Sequence, residues 1–270
     1  SENGKIHFEE VRNIFQILNK IFKISLVLSI IGLVINILNK KMEEIGIQLS
    51  DMQTEQFLTY YDMLIERNKV MNLTAITEYD DVVEKHFVDS VSLIKALDAE
   101  EVKNVIDIGT GAGFPGIPLK IVFPHLKVTL LDSLNKRIKF LNDVIGTLEL
   151  ENIETIHGRA EDFAKQEIYR EQYDLCVSRA VANLATLSEY CLPYVKVGGY
   201  FISYKSGEIE EELQQSKRAV SILGGTLGDV IKFALPGTDI ARSFVKIKKV
   251  KNTGKKYPRK AGLPSKEPLV

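Results

Sequence analysis

The 270-residue chain is 45% hydrophobic and 26% charged, which excludes disorder of the whole chain and suffices for one large core, or for a core with a small appendage. Its two cysteines, Cys176 and Cys191, show neither CxxC nor Cys/His spacing, so neither a disulfide framework nor a metal site is expected, and a reducing compartment is. The formal net charge of −1 is unevenly spread: residues 240–266 hold ten Lys or Arg and no Asp or Glu, leaving −11 on the rest. A basic strip on an acidic body reads as a polyanion site or as a lysine-protected sheet edge with a solvated tail, and charge alone does not decide.

In chain order, residues 1–41 stand apart. "IFKISLVLSIIGLVINIL" (Ile21–Leu38) is an apolar run with Lys23 near its start and a charge-free part beginning at Ile24. As a helix that part spans about 22 Å, short of the roughly 30 Å hydrocarbon core of a bilayer. Lys40 and Lys41 follow it rather than a small-residue cleavage pattern, so a signal peptide is not expected. Three readings remain: a membrane anchor, an apolar helix packed on the domain or a partner, or sequence foreign to a domain that starts near Met42. The domain is expected to be soluble without it.

Ser50 or Asp51 then caps a helix on which Phe57, Tyr60, Tyr61, Leu64 and Ile65 recur at three- and four-residue spacing. A second helix is expected over Tyr79–Leu97. Beyond it, short apolar runs at Val102–Ile108, Val128–Leu131, Ile153–Ile156, Leu175–Val177 and Tyr200–Tyr204 alternate with amphipathic stretches at Asn135–Leu148, Glu161–Arg170, Leu184–Val195 and Glu208–Ile222. Strands alternating with helices predict a parallel sheet covered on both faces. Thr226–Ala234 and Arg242–Lys249 lack a helix between them and predict an antiparallel hairpin at the sheet's edge.

The first strand runs into "DIGTGAGFPGIPL" (Asp107–Leu119). Gly109, Gly111 and Gly113 make a tight loop that a ligand can approach closely, and Pro115 and Pro118 suit a first helical turn. Ligands of open α/β sheets bind at this carboxyl edge. GxGxxG from Gly111 to Gly116 formally matches the dinucleotide fingerprint, and Asp132 ends the next strand, where a carboxylate accepts both hydroxyls of an adenosine ribose. Asp107 favours S-adenosylmethionine over NAD, because a carboxylate there suits a cationic amino group and sulfonium and opposes a pyrophosphate. There is no Walker lysine for ATP.

Seven segments complete the pattern: "NLTAI" (Asn72–Ile76), "KHFVDS" (Lys85–Ser90), the glycine loop, "LLDSLNKRIKFL" (Leu130–Leu141), "GRAED" (Gly158–Asp162), "SRAVA" (Ser178–Ala182) and "YPRKAGLPSKEPL" (Tyr257–Leu269). In content and order they resemble bacterial small-subunit ribosomal RNA guanine-N7 methyltransferases, the glucose-inhibited division protein B family. The resemblance runs from about Met42 to the C-terminus and leaves residues 1–41 uncovered, which favours the third reading of that segment. It implies an α/β, Rossmann-like class I methyltransferase fold: a seven-stranded, mostly parallel sheet with its last strand antiparallel, and an N-terminal helical cap. The implied divisions are an extension (1–41), the cap (42–98), the methyltransferase domain (99–250) and a basic tail (251–270). The implied cofactor is S-adenosylmethionine. Gly109 and Phe114 would touch it in the loop, Asp132 would hold its ribose, Ala160 and Glu161 would flank its adenine, and Arg179 would lie at its methionine end. Read without the resemblance, Glu161 is also an acid starting a helix and Arg179 a surface ion-pair residue. The implied partner is small-subunit ribosomal RNA or the assembling small subunit, met in the cytoplasm by a monomer with no metal and no membrane contact.

Guanine N7 has a lone pair and no proton, so its attack on a sulfonium methyl needs no general base, and positioning with electrostatics should suffice. His86 is then expected to be structural. Arg179, Lys85 and Lys205 are candidates for RNA phosphate or guanine O6, with Arg179 and Lys205 placed nearest the reaction. Relatives often carry Lys-Gly where this chain has Lys205-Ser206-Gly207. The tail, with Lys255, Lys256, Arg259 and Lys260, is expected to be flexible and to track phosphates. A small-molecule methyltransferase, an NAD oxidoreductase and a non-catalytic RNA-binding protein are the competing readings.

Overall fold

The computed structural model describes residues 2–179 and 182–269, with side chains from Gln16 onward. Ala180 and Val181 of the "SRAVA" segment lie outside the described residues. The strands are β1 (Asn104–Ile108), β2 (Lys127–Asp132), β3 (Ile153–His157), β4 (Tyr173–Ser178), β5 (Val195–Ser206), β6 (Gly225–Ala234) and β7 (Ala241–Lys249). They form one seven-stranded sheet in the order β3-β2-β1-β4-β5-β7-β6. β1 to β5 run parallel, and β7 inserts antiparallel between β5 and β6. The expected edge hairpin is thus present. The chain winds outward from β1 to β3, then returns to β4 on the other side of β1. That reversal opens a crevice beyond the carboxyl ends of β1 and β4.

Strand alternation explains the two cores. Val105 and Leu130 face one side, with Phe57, Tyr60, Phe87 and Leu119. Ile106 and Leu131 face the other, with Leu184, Leu187, Phe201 and Val220. The helices are α1 (Glu2–Glu43), α2 (Asp51–Met71), α3 (residues 79–95), α4 (Gly116–Val122), α5 (Asn135–Thr147), α6 (Ala160–Phe163), α7 (Leu184–Cys191), α8 (Glu210–Ile222) and α9 (Leu263–Lys266). Ser50 caps α2 in a capping box with Gln53. The helix expected over Glu161–Arg170 keeps only α6 and continues as turns, in which the Arg170 guanidinium turns to the carbonyls of Thr253 and Tyr257. The run α3 is irregular, being π-helical over Val83–Val88 between α-helical turns. Such turns are rare and recur at functional sites, and this one carries Lys85 and His86.

α1 is continuous across the boundary expected at residue 41. Its described side chains are exposed up to Leu33. From Val34 the helix packs on the cap: the Tyr79 hydroxyl donates to Val34 O at 2.9 Å, and Leu38 and Met42 are fully buried. Lys41 pairs with Glu84 at 2.5 Å and donates to Pro236 O at 2.8 Å. By length and composition the stretch Gln16–Glu43 is apolar enough to cross a membrane.

The basic tail is not the flexible segment expected. Thr253, Tyr257 and Pro258 are buried, and Arg170 donates to the carbonyls of Thr253 and Tyr257. Arg259 grips both oxygens of the buried Glu189 carboxylate, at 2.7 Å for the shortest bond, and also donates to Glu267 O. Its guanidinium is committed inward, so it is a structural anchor rather than a phosphate ligand. Lys255, Lys256 and Lys260 remain exposed.

Candidate active site

Two adjoining clefts open at the carboxyl edge. The first, about 520 Å³, is walled by Gly109–Ala112 and Phe114 of the loop, Asp132 and Ser133 after β2, Arg159–Glu161 after β3, and Arg179 after β4. The second, about 650 Å³, is walled by Lys85, His86 and Asp89 of α3, Tyr204 and Lys205 of β5, and Glu208, Glu212 and Arg242. His86, Arg179 and Ala182 line both.

The loop's glycines serve different ends. A Cβ on Gly111, whose φ is +65°, would project into open space with nothing within 4 Å, so backbone lies bare to the first cleft. Gly113 and Gly116 face the interior. A Cβ on Gly113 would meet the Tyr60 hydroxyl at 2.7 Å, and one on Gly116 would meet Leu130 at 2.3 Å. Gly113, expected on the cofactor, is a packing glycine. Asp107, also expected on the cofactor, faces the underside of the loop instead. It is fully buried, and its Oδ2 accepts from Thr110 Oγ1 at 2.7 Å and Gly116 N at 2.9 Å, bracing the loop from beneath. Burial raises its pKa to about 7, against those two hydrogen bonds. Its Oδ1 has no partner.

Asp132 stands where expected. Its Oδ2 accepts from Gly111 N at 2.9 Å and from Arg137 at 3.2 Å, and its Oδ1 accepts from Leu134 N. It therefore ties the loop to the start of α5 and presents a carboxylate in the first cleft. Glu161 accepts from Gly262 N at 2.7 Å, so the tail fixes this wall. The Lys205 ammonium is held by Glu212 at 2.5 Å and by Ala182 O. Lys85 pairs with Asp81 one helical turn back.

Arg179 occupies the shared wall. Its guanidinium lies 5.1 Å from the Phe114 ring centroid, donates to Lys85 O and Asp89 Oδ2, both at 2.9 Å, and reaches His86 Nδ1 at 3.2 Å. His86 Nδ1 also lies 3.1 Å from Lys85 O, and Nε2 lies 2.8 Å from Thr74 Oγ1, so each ring nitrogen has a polar partner whichever of the two carries the proton. His86 stacks on Phe114 with centroids 4.5 Å apart. Burial first, and then the Arg179 charge, drive its pKa down to about 3, so it is neutral and both ring nitrogens are engaged. That agrees with a structural role and not with a base. Asp89, Arg242 and Thr74 were not singled out from the sequence. Asp89 lies within the "KHFVDS" segment, but Arg242 reaches the site only through the β5–β7 pairing, which no local pattern encodes.

The family model described as rRNA small subunit methyltransferase G matches residues 53–262. The chain belongs to this family. It is therefore an S-adenosylmethionine-dependent rRNA methyltransferase. It is 56% identical over 229 residues to the ribosomal RNA small subunit methyltransferase G of Lachnoclostridium phytofermentans, covering 85% of this chain and 95% of that one. It is 53% identical over 233 residues to that of Alkaliphilus metalliredigens, covering 86% and 98%. Among solved structures, a SAM dependent methyltransferase from Aquifex aeolicus superposes with a TM-score of 0.47 at 19% identity, over 62% of this chain and 92% of that one.

The first cleft of the methyltransferase fits the cofactor on its own geometry. Bare backbone at Gly111, a strand-end carboxylate at Asp132 and a guanidinium at Arg179 line one cleft, and such groups would suit an adenosine, a ribose diol and an amino-acid carboxylate. Among the described residues no cluster of His, Cys, Asp or Glu has the makings of a metal site.

Proposed function

We propose that this cytoplasmic enzyme methylates N7 of one guanine in small-subunit ribosomal RNA, holding S-adenosylmethionine in the first cleft and the target nucleotide in the second. The observation that carries the assignment is the shared wall: two clefts of different chemistry meet at Arg179 and His86. Gly109, Gly111, Phe114, Asp132, Ala160, Glu161 and Arg179 line the cofactor side. Lys85, Lys205 and Arg242 line the RNA side, with Lys255, Lys256 and Lys260 as outlying phosphate contacts.

Bound S-adenosylmethionine supplies an electrophilic methyl on a sulfonium. The residues supply position and field. Asp132 orients the ribose and Arg179 a carboxylate, and Phe114 with His86 forms a flat, uncharged floor between the clefts. Guanine N7 offers a lone pair and has no proton to remove, so methyl transfer from the sulfonium, with loss of the methyl–sulfur bond and passage of the charge to the guanine, would ask for no base, which suits a site whose imidazole is neutral with both ring nitrogens engaged. Phosphate charge is met by the lysines of the second cleft.

The test is transfer of labelled methyl from S-adenosylmethionine to small-subunit rRNA, naked and assembled, with product nucleosides resolved. Label confined to 7-methylguanosine is expected. Label in another base, or methylation of small molecules without RNA, would overturn the reading.

A further inference from the structure

The Asp89 carboxylate is 2% exposed and sits between the clefts. Its Oδ2 accepts from Arg179 Nη1 and its Oδ1 from Arg242 Nε, both at 2.9 Å. One oxygen is thus given to the arginine of the first cleft and the other to an arginine of the second alone. The two arginines come from strands on either side of β5, Arg179 after β4 and Arg242 on β7, and α3 brings the carboxylate to both.

The donor count shows what this leaves available. Arg179 spends both Nη1 hydrogens on Lys85 O and Asp89, and one side of Nη2 faces His86 Nδ1 at 3.2 Å. Its Nε–H and a second Nη2–H remain. Arg242 spends Nε–H on Asp89 and one Nη1–H on Ala241 O, leaving three. Two guanidinium groups held by one buried anion would repel and swing apart without it. Held, each presents fixed donors to a different anionic ligand.

We infer that Asp89 is a positioning residue serving both substrates at once: through Arg179 it sets the donors that meet the carboxylate of the methyl donor, and through Arg242 it sets the donors that meet the RNA. Arg242 is then a substrate-binding residue in its own right. The inference rests on the assignment of the clefts above. If that assignment fails, the parent enzyme binds one or neither ligand; if only the inference fails, parent binding stays intact and the variants depart from the pattern below.

The experiment measures S-adenosylmethionine affinity by calorimetry and RNA affinity by filter binding in the parent, D89N, R242Q and R242K, each with its melting curve. D89N is expected to weaken both ligands, each by about tenfold or more. R242Q, which keeps the Asp89–Arg179 pair, is expected to weaken RNA by a similar factor and to leave cofactor affinity within twofold. R242K restores charge without the Nε–H geometry and is expected to fall between R242Q and the parent on RNA alone. A merely structural role lowers the melting temperature without this division by ligand. A folded D89N that weakens only one ligand overturns the inference. Should D89N fail to fold, R242Q decides: unchanged RNA affinity, or cofactor affinity lost along with it, overturns the inference as well.

Discussion

Asp107 beneath the glycine loop and His86 against Phe114 are both buried, and burial acts on them oppositely. Asp107 keeps its proton to about 7, whereas the unfolded chain loses it near 3.9. A raised carboxylate pKa contributes stability that is full below the unfolded value and is lost as pH rises through the folded one. His86 is held down to about 3, so its contribution is full above the unfolded imidazole value of about 6.5 and is lost as pH falls toward the folded one. The two slopes oppose each other over roughly pH 4 to 6.5. D107N removes only the first. Relative to the parent, its stability is expected to rise as pH goes from about 4 to about 7, measured by denaturant unfolding at several pH values. A pH-independent difference would contradict the protonated, buried carboxylate. The sequence identified Asp107 as important but misplaced its side chain. A residue just before a glycine loop faces either the ligand or the loop's underside, and only the packing of Gly116 against Leu130 and Asp107 settles which.

At the scale of elements, the strands were legible because the five parallel ones read as short apolar runs between amphipathic helices. What was not legible came from long-range pairing. Nothing local distinguishes Arg259, which binds a buried glutamate, from its exposed neighbours Lys255, Lys256 and Lys260. The limit of α1 was hidden for a similar reason, since the apolar run continues unchanged where the helix begins to touch the cap at Val34. A chain starting at Gly32 is therefore expected to melt like the full-length protein. One starting at Met42 loses the buried Leu38, at a cost of about 2–5 kcal/mol, and leaves Glu84 without Lys41. Its melting temperature is expected to fall by roughly 5–15 °C. Equal melting of both chains would show that the last turns of α1 add nothing to the cap.

For the whole molecule, the sheet's reversal between β1 and β4 creates the first cleft, and the cap on one face together with β7 on the other side creates the second. The tail closes the arrangement from behind, fixing Glu161 through Gly262 and holding α7 through Glu189 and Arg259. Under the proposed assignment, reaction and recognition occupy neighbouring surfaces that share one wall. The measurement that tests this division most directly is paired binding of S-adenosylmethionine and small-subunit rRNA to D132N and K205Q. The account predicts that D132N loses cofactor affinity at least tenfold and keeps RNA affinity within twofold, while K205Q does the reverse. Loss of the same ligand by both variants, or full cofactor affinity in D132N, would contradict it.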